Sequence, residues 1–187
     1  VLYRREANTG IITLNRPHRL NALTGELLQA FMETLDTARR DKDAAVVILT
    51  GSGKSFCSGE DLKETAEGKS AETWIDEAER LQDVQRYTLK LDKPLIGAVK
   101  GYAVGGGCEI AMSCDIRIAG ESAVFGFPET GVGLTVTNAG TKLLTHLVGL
   151  GKAKELIFTG EFIDANEALK IGLANRIVPD DELMDAA

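Results

Sequence analysis

The sequence is poor in the residues that most often build metal centres and nucleophile triads. Its only histidines, His18 and His146, lie far apart in the chain. A zinc site or a His-based triad needs more than that, so neither is expected. The three cysteines, Cys57, Cys108 and Cys114, are odd in number and show neither CxxC nor metal-ligand spacing. They read as reduced thiols of a cytoplasmic protein. Long apolar runs are missing too: nothing approaches the length of a membrane span, and no signal-peptide pattern opens the chain. Cationic charge is short. Lys and Arg number 21 against 28 Asp and Glu, a net −7, which argues against a nucleic-acid or anionic-membrane surface. An anionic small molecule needs only a local cationic rim and stays compatible with that balance. No Ser/Pro-rich linker or low-complexity segment divides the chain, so its 187 residues are expected to form one domain over 1–187.

What the chain does have is glycine, twenty residues of it, and in clusters. Between the clusters the patterning is that of an α/β protein. "GIITLNRP" reads as a short strand stopped by Pro17. "TGELLQAFMETLDTARRD" keeps helical spacing at Leu27, Leu28, Phe31, Leu35 and Ala38, with Thr24 as N-cap and Glu26 in the first turn. "AAVVILTG" and "KPLIGAVKG" are apolar, β-branched runs and read as buried strands. "SAETWIDEAERLQDVQRYTLKLD" is a long helix with a polar face. "GGCEIAMSC" is a shorter helix, and "DIRIAG" and "AVFGFPE" are short strands. "TNAGTKLLTHLVGL", "GKAKELIFTG" and "DANEALKIGL" read as helices separated by glycine-containing turns. The order repeats as strand, strand, helix.

One motif imitates a phosphate loop. "VVILTGSGKS" runs from a strand into Gly, Ser and Lys. A P-loop needs Gly at the first of its eight positions, and that position is Ile48, inside the strand. A strand ending in a Gly/Ser turn is the expected structure.

The run Gly105–Gly107 stands directly before a helix start, with Glu109 in the first turn. The N–H groups there lack intrahelical partners and carry partial positive charge. Glycine lets a ligand approach them without a Cβ in the way. A carbonyl oxygen held there would be polarised, as in an oxyanion hole. The same glycines would equally serve close helix–strand packing with no ligand, and the residues alone leave both open. The turn Ser58-Gly59-Glu60-Asp61 is a second candidate donor. Glu129, after Pro128, sits in a Gly-rich, apolar stretch. Carboxyls in such surroundings suit general acid/base work, although Glu109 also fits as a dipole-stabilising helix residue and Glu129 as a solvated loop acid.

Taken together, "ITLNRPHRLNAL", "VVILTGSGKSFCSGEDLKE", "KPLIGAVKGYAVGGGCEIAMSCDIRIAGESAVFGFPE" and "GKAKELIFTGEFIDANEALKIGLANRIVP" resemble the crotonase, or enoyl-CoA hydratase/isomerase, family. The resemblance runs nearly end to end. It implies a crotonase-like spiral of ββα turns that binds an acyl-CoA thioester, with CoA as part of the substrate and no cofactor or metal. It implies an oxyanion hole from the backbone N–H groups of Glu60 and Gly106, and acid/base roles for Glu109 and Glu129. Substrate and CoA contacts fall on Arg19, Asn21, Ala22, Ser58, Asp61, Leu62, Lys63, Tyr102, Gly105 and Gly133. A homotrimer or dimer of trimers is implied, together with C-terminal helices of which this sequence carries only the beginning. Three positions depart from the family's pattern. Glu60 replaces a small residue, and Phe127 replaces the usual Gln. "VTNAGT", Val136 to Thr141, replaces a "PGxGGT" loop. Thr137 and Asn138 are polar there, and capping of the following helix is their expected role. The expected reaction is reversible hydration of a 2-enoyl-CoA. Double-bond isomerisation, hydrolysis or C–C cleavage of an acyl-CoA, and idle acyl-CoA binding are the alternatives.

Overall fold

The structure, a computed structural model, describes residues 1–61, 70–136, 138 and 140–187. In chain order the first elements are β1 (Leu2–Glu6), β2 (Thr9–Leu14), α1 (Gly25–Arg40), β3 (Val46–Gly51), α2 (Ala71–Leu89) and β4 (Leu95–Val99). They are followed by β5 (Tyr102–Val104), α3 (Gly106–Met112), β6 (Ile116–Gly120) and β7 (Val124–Gly126). The last are α4 (Thr145–Thr159), β8 (Ile163–Asp164), α5 (Ala165–Lys170), β9 (Arg176–Val178) and α6 (Leu183–Ala186).

The apolar runs became the inner strands. Among the described residues, one sheet has the order β1-β2-β3-β4-β6-β9, parallel throughout except for the β1–β2 hairpin. Strands buried on both faces can afford no alternation, which is why they read as continuous apolar stretches. Ile12, Leu14, Val47 and Leu49 point to the face covered by α1 and join Phe31 and Leu35 in the main core. Ile11, Ile48, Ala98, Ile118 and Val178 point the other way and meet Leu183 of α6. Each Ile, Leu, Val or Phe among them contributes about 1.5–3 kcal/mol through burial.

A second sheet, β5-β7-β8, lies beside the first. Chain order explains the pair. β4 and β6 enter the large sheet, and the strands directly after them, β5 and β7, enter the small one as parallel neighbours. The expected repeat of strand, strand and helix is therefore one turn of a spiral.

Local signals set the helix ends. Thr24 Oγ1 accepts from Leu27 N–H at 3.2 Å, and Ser70 Oγ accepts from Thr73 N–H at 3.2 Å. At the other end of α1, Lys93 Nζ donates to the carbonyls of Ala38 and Asp41, an ammonium where the helix dipole favours one. The helices expected from "TNAGTKLLTHLVGL" and "GKAKELIFTG" meet at a non-helical glycine, as expected. A π-helical turn, Gly140–Leu144, leads into α4, which continues through a kink at Gly149 (φ 78°, ψ 156°). The segment after β3 is a turn, as expected.

Candidate active site

Three chain segments lie side by side and set the site. Cys57 N–H donates to Tyr102 C=O (2.8 Å) and Val104 N–H to Cys57 C=O (3.0 Å). On the other edge, Leu23 N–H donates to Gly59 C=O (2.8 Å) and Asp61 N–H to Leu23 C=O (2.9 Å). Leu23 thus bridges Glu60 in a parallel sense, and Ala103 bridges Cys57. Gly59 C=O and Glu60 N–H belong to one trans peptide and point opposite ways, so Glu60's own N–H is turned away from Leu23; a Cβ on Gly59 would lie 2.8 Å from Val104 O and 3.6 Å from Gly106 N, so residues 104–106 form the adjoining edge. Gly106 opens α3 on that same edge. The intrahelical ladder begins only with Glu109 N–H to Gly105 C=O at 3.0 Å.

The glycines divide the two readings that the sequence left open. Gly107 serves packing: a Cβ there would lie 2.2 Å from Cys57 O. Gly105 and Gly106 face a cavity. Gly105 has φ 54° and ψ −127°, a conformation that L side chains rarely adopt, and a Cβ would come within 3.0 Å of Glu129 Oε1.

The cavity has a volume of about 720 Å³. Among its lining residues are Arg19, Ala22, Ser58, Glu60, Asp61, Gly105, Gly106, Glu109, Glu129 and Gly133. Those ten expected residues are brought together. Two others are not. Asn21 is fully buried, and its side chain is committed to the fold. Its Oδ1 accepts from Arg16 N–H (2.8 Å), and its Nδ2 donates to the carbonyls of Ser52, Ser55 and Phe56 at 3.0, 2.8 and 3.1 Å. That amide serves the fold, and Asn21 is not on the cavity wall. Tyr102 is 45% exposed at the start of β5 and is not on the cavity wall. Leu62, Lys63 and Thr137 lie outside the described residues.

Both carboxyls have raised proton affinity. Glu109 is 2% exposed. Burial is the main cause of its shift to about 7; the negative charges of Glu129 and Glu60 add to it, and hydrogen bonds from Gly140 and Asn138 oppose it. Glu129 is pushed up by burial first and by the charge of Glu60 after that. Its Oε2 is buried and has no hydrogen-bond partner among the described residues. Two acids of raised proton affinity in one cavity are chemically suited to acid and base duty. Glu60, the departure from the family's small residue, therefore bears on both carboxyls.

The other two departures resolve differently. Phe127 is 1% exposed and belongs to the core. Asn138 acts through its backbone: its N–H donates to Glu109 Oε1 at 3.0 Å, and Gly140 N–H donates to the same oxygen at 2.8 Å.

Sequence reasoning missed two parts of the wall. Arg16 pairs with Asp61, Nη1 to Oδ2 at 2.6 Å, and so holds the carboxyl at the cavity edge. Trp74, Glu77, Ala78 and Leu81 line the cavity from α2. Their i, i+3, i+4, i+7 spacing was the available signal, and it read simply as a helix face. Among the described residues no group of three or more His, Cys, Asp or Glu is arranged to hold a metal, and no helix is long and apolar enough to cross a membrane.

Comparison with known proteins agrees with this geometry. The sequence profile of the family described as Enoyl-CoA hydratase/isomerase matches residues 4–187. A short-chain-enoyl-CoA hydratase of Clostridium acetobutylicum is 46% identical over 188 residues, covering all of this chain and 72% of that protein. A crotonyl-CoA hydratase of Syntrophomonas wolfei is 40% identical over 185 residues, covering 98% of this chain and 71% of the relative. The crystal structure of enoyl-CoA hydratase from Bacillus anthracis superposes with a TM-score of 0.94 at 37% identity, covering 99% of this chain and 72% of that one. The fold is the crotonase fold, and the chain belongs to the enoyl-CoA hydratase/isomerase family.

Proposed function

We infer that the protein is an enoyl-CoA hydratase, adding water reversibly and syn across the C2=C3 bond of a 2-enoyl-CoA thioester. One observation carries this reading: two carboxyls of raised proton affinity, Glu109 and Glu129, share one cavity with the backbone edge of Glu60 and Gly106.

In this reading the thioester carbonyl lies on the N–H groups of Glu60 and Gly106. A water held between Glu109 and Glu129 attacks C3 while one carboxylate takes its proton. The π electrons move toward C1, and the enolate oxygen is stabilised by the two N–H dipoles. C2 then takes a proton from the carboxyl system, leaving a hydroxyl at C3 and hydrogen at C2. Losing one oxyanion donor typically costs about 3 kcal/mol of transition-state stabilisation. The reaction needs no cofactor beyond the CoA of the substrate. Arg19, at the cavity, supplies a cation for the CoA phosphates within an acidic protein.

The reading also takes residues 1–187 as one acyl-CoA-binding catalytic domain. It takes the active form as a homotrimer or dimer of trimers, supported by exposed apolar side chains such as Leu150, Phe158 and Phe162. Three buried, unpaired cysteines fit a reducing compartment such as the cytoplasm.

The test is mass spectrometry of products from a panel of enoyl-CoA thioesters, with wild type, Glu109→Gln and Glu129→Gln. Hydration gives a product heavier by one water and absent from both variants. A product of unchanged mass that survives one variant would replace hydration with isomerisation. Release of free CoA would replace it with hydrolysis.

A further inference from the structure

We propose that the backbone N–H groups of Asn138 and Gly140 are the positioning device for Glu109, saturating Oε1 so that proton exchange with water or substrate is confined to Oε2. The proposal rests on the acid/base reading of Glu109 given above.

The geometry is specific. Both N–H groups converge on one oxygen, at 3.0 and 2.8 Å. A carboxylate oxygen has two lone-pair directions, and two donors occupy both. Glu109 itself lines the cavity, so Oε2 is the oxygen left to serve it. The approach depends on the residue at 140. A Cβ there would lie 2.2 Å from Val136 Cγ1 and 2.9 Å from Glu109 Oε1. Val136 is 4% exposed and belongs to the main core, so it cannot simply withdraw. The core thus anchors the chain just before the two donors, and glycine lets the second donor close on the carboxyl.

The charges around Glu109 make the device necessary. Among the described residues, the titratable groups that act on it are Glu129, from the Pro128–Val132 turn, and Glu60, from the segment beside β5. Both are acids. The adjacent Cys108 thiol is held neutral, first by burial. No neighbouring cation among these groups steadies the carboxylate; the two amide dipoles do. The divergent "VTNAGT" sequence thereby has a backbone function that its side chains do not announce.

The first test uses the wild-type protein. In a ¹H–¹⁵N NMR pH titration, the amide protons of Asn138 and Gly140 are expected to shift together with a midpoint near 7, the Glu109 value. That shift is expected to vanish in Glu109→Gln. Flat resonances, or a titration that survives Glu109→Gln, would overturn the proposal. The second test separates backbone from side chain. Asn138→Ala is the side-chain control, against which the backbone loss is read, and keeps the N–H. Asn138→Pro removes it and is expected to lower kcat about ten-fold or more, with KM little changed. Its Glu109 limb in the pH–kcat profile is expected to move upward, because a donor to the charged form is gone. Equal damage from both variants, or none from Asn138→Pro, would count against the proposal. If Asn138→Pro fails to fold, the amide titration alone decides. A wild type with titrating amides and no turnover of any enoyl-CoA would instead sink the hydratase reading while leaving the hydrogen bonds in place.

Discussion

The two walls that carry the proposed catalytic groups use glycine in opposite ways. Where the Ser58–Asp61 segment meets the start of α3, glycine makes room for backbone. A Cβ at Gly59 would lie 2.8 Å from Val104 O, and one at Gly107 would lie 2.2 Å from Cys57 O. On the Glu129 side, Gly131 and Gly133 would meet nothing within 4 Å. There glycine serves the turn, with Gly133 at φ 76°. One wall is a backbone structure held by close contacts behind an edge that faces the cavity. The other is a side-chain structure that presents a carboxyl from a short 3₁₀ turn. An account of this site therefore expects the first wall to tolerate almost no added atom and the second to tolerate several.

The largest effect is expected at Gly107. Gly107→Ala forces the Cys57 peptide to move and should cost about 3 kcal/mol, seen as a fall of about 10 °C in Tm. A wild-type Tm would remove the contrast between the walls. Next is Asn21→Ala, which strips partners from buried carbonyls and leaves alanine at φ 57°. Chemical denaturation should read a loss of about 2–3 kcal/mol. A binding defect without a stability loss would return Asn21 to the ligand.

Third, Glu109 ties function to stability through pH. Its carboxyl is pushed up to about 7 in the folded protein, chiefly by burial, from its ordinary value of 4.5 in the unfolded chain. The folded state therefore binds more protons between those values, and stability falls as pH rises through that window. Glu109→Gln removes this dependence. It should be more stable than wild type by about 2 kcal/mol above neutral pH, with the gap closing in acid. Urea titrations at acidic and alkaline pH check it, and a gap that does not depend on pH would contradict the assignment. The smallest effect belongs to the open wall. Gly131→Ala should leave stability within about 1 kcal/mol of wild type, on the favourable side if anything. A loss as large as that of Gly107→Ala would erase the comparison.

Much of this was legible in the sequence, for physical reasons. Runs such as "VVILTG" have one structural solution in a buried parallel sheet. Three glycines ahead of Glu109 announce close backbone approach. Thr24 and the spacing of Leu27, Phe31 and Leu35 announce α1. β5, β8 and β9 were not read, because two or three residues without a flanking apolar run carry little pattern; β7, equally short, was read from "AVFGFPE". The structural work of the Asn21 amide was hidden because a motif match does not say whether a position serves through its side chain or through the fold. The Arg16–Asp61 pair joins residues far apart in sequence. The roles of Asn138 and Gly140 were hidden because N–H donors have no residue type.

The central claim is that Glu109 and Glu129, beside the Glu60–Gly106 backbone edge, add water to an enoyl thioester. The most direct measurement is hydration of crotonyl-CoA in ¹⁸O-water, read by mass spectrometry, with wild type and the two glutamine variants. The account predicts one ¹⁸O at C3 with wild type and a rate about 10²-fold or more lower in either variant. Wild-type turnover in both variants, or a product without the label, would contradict it.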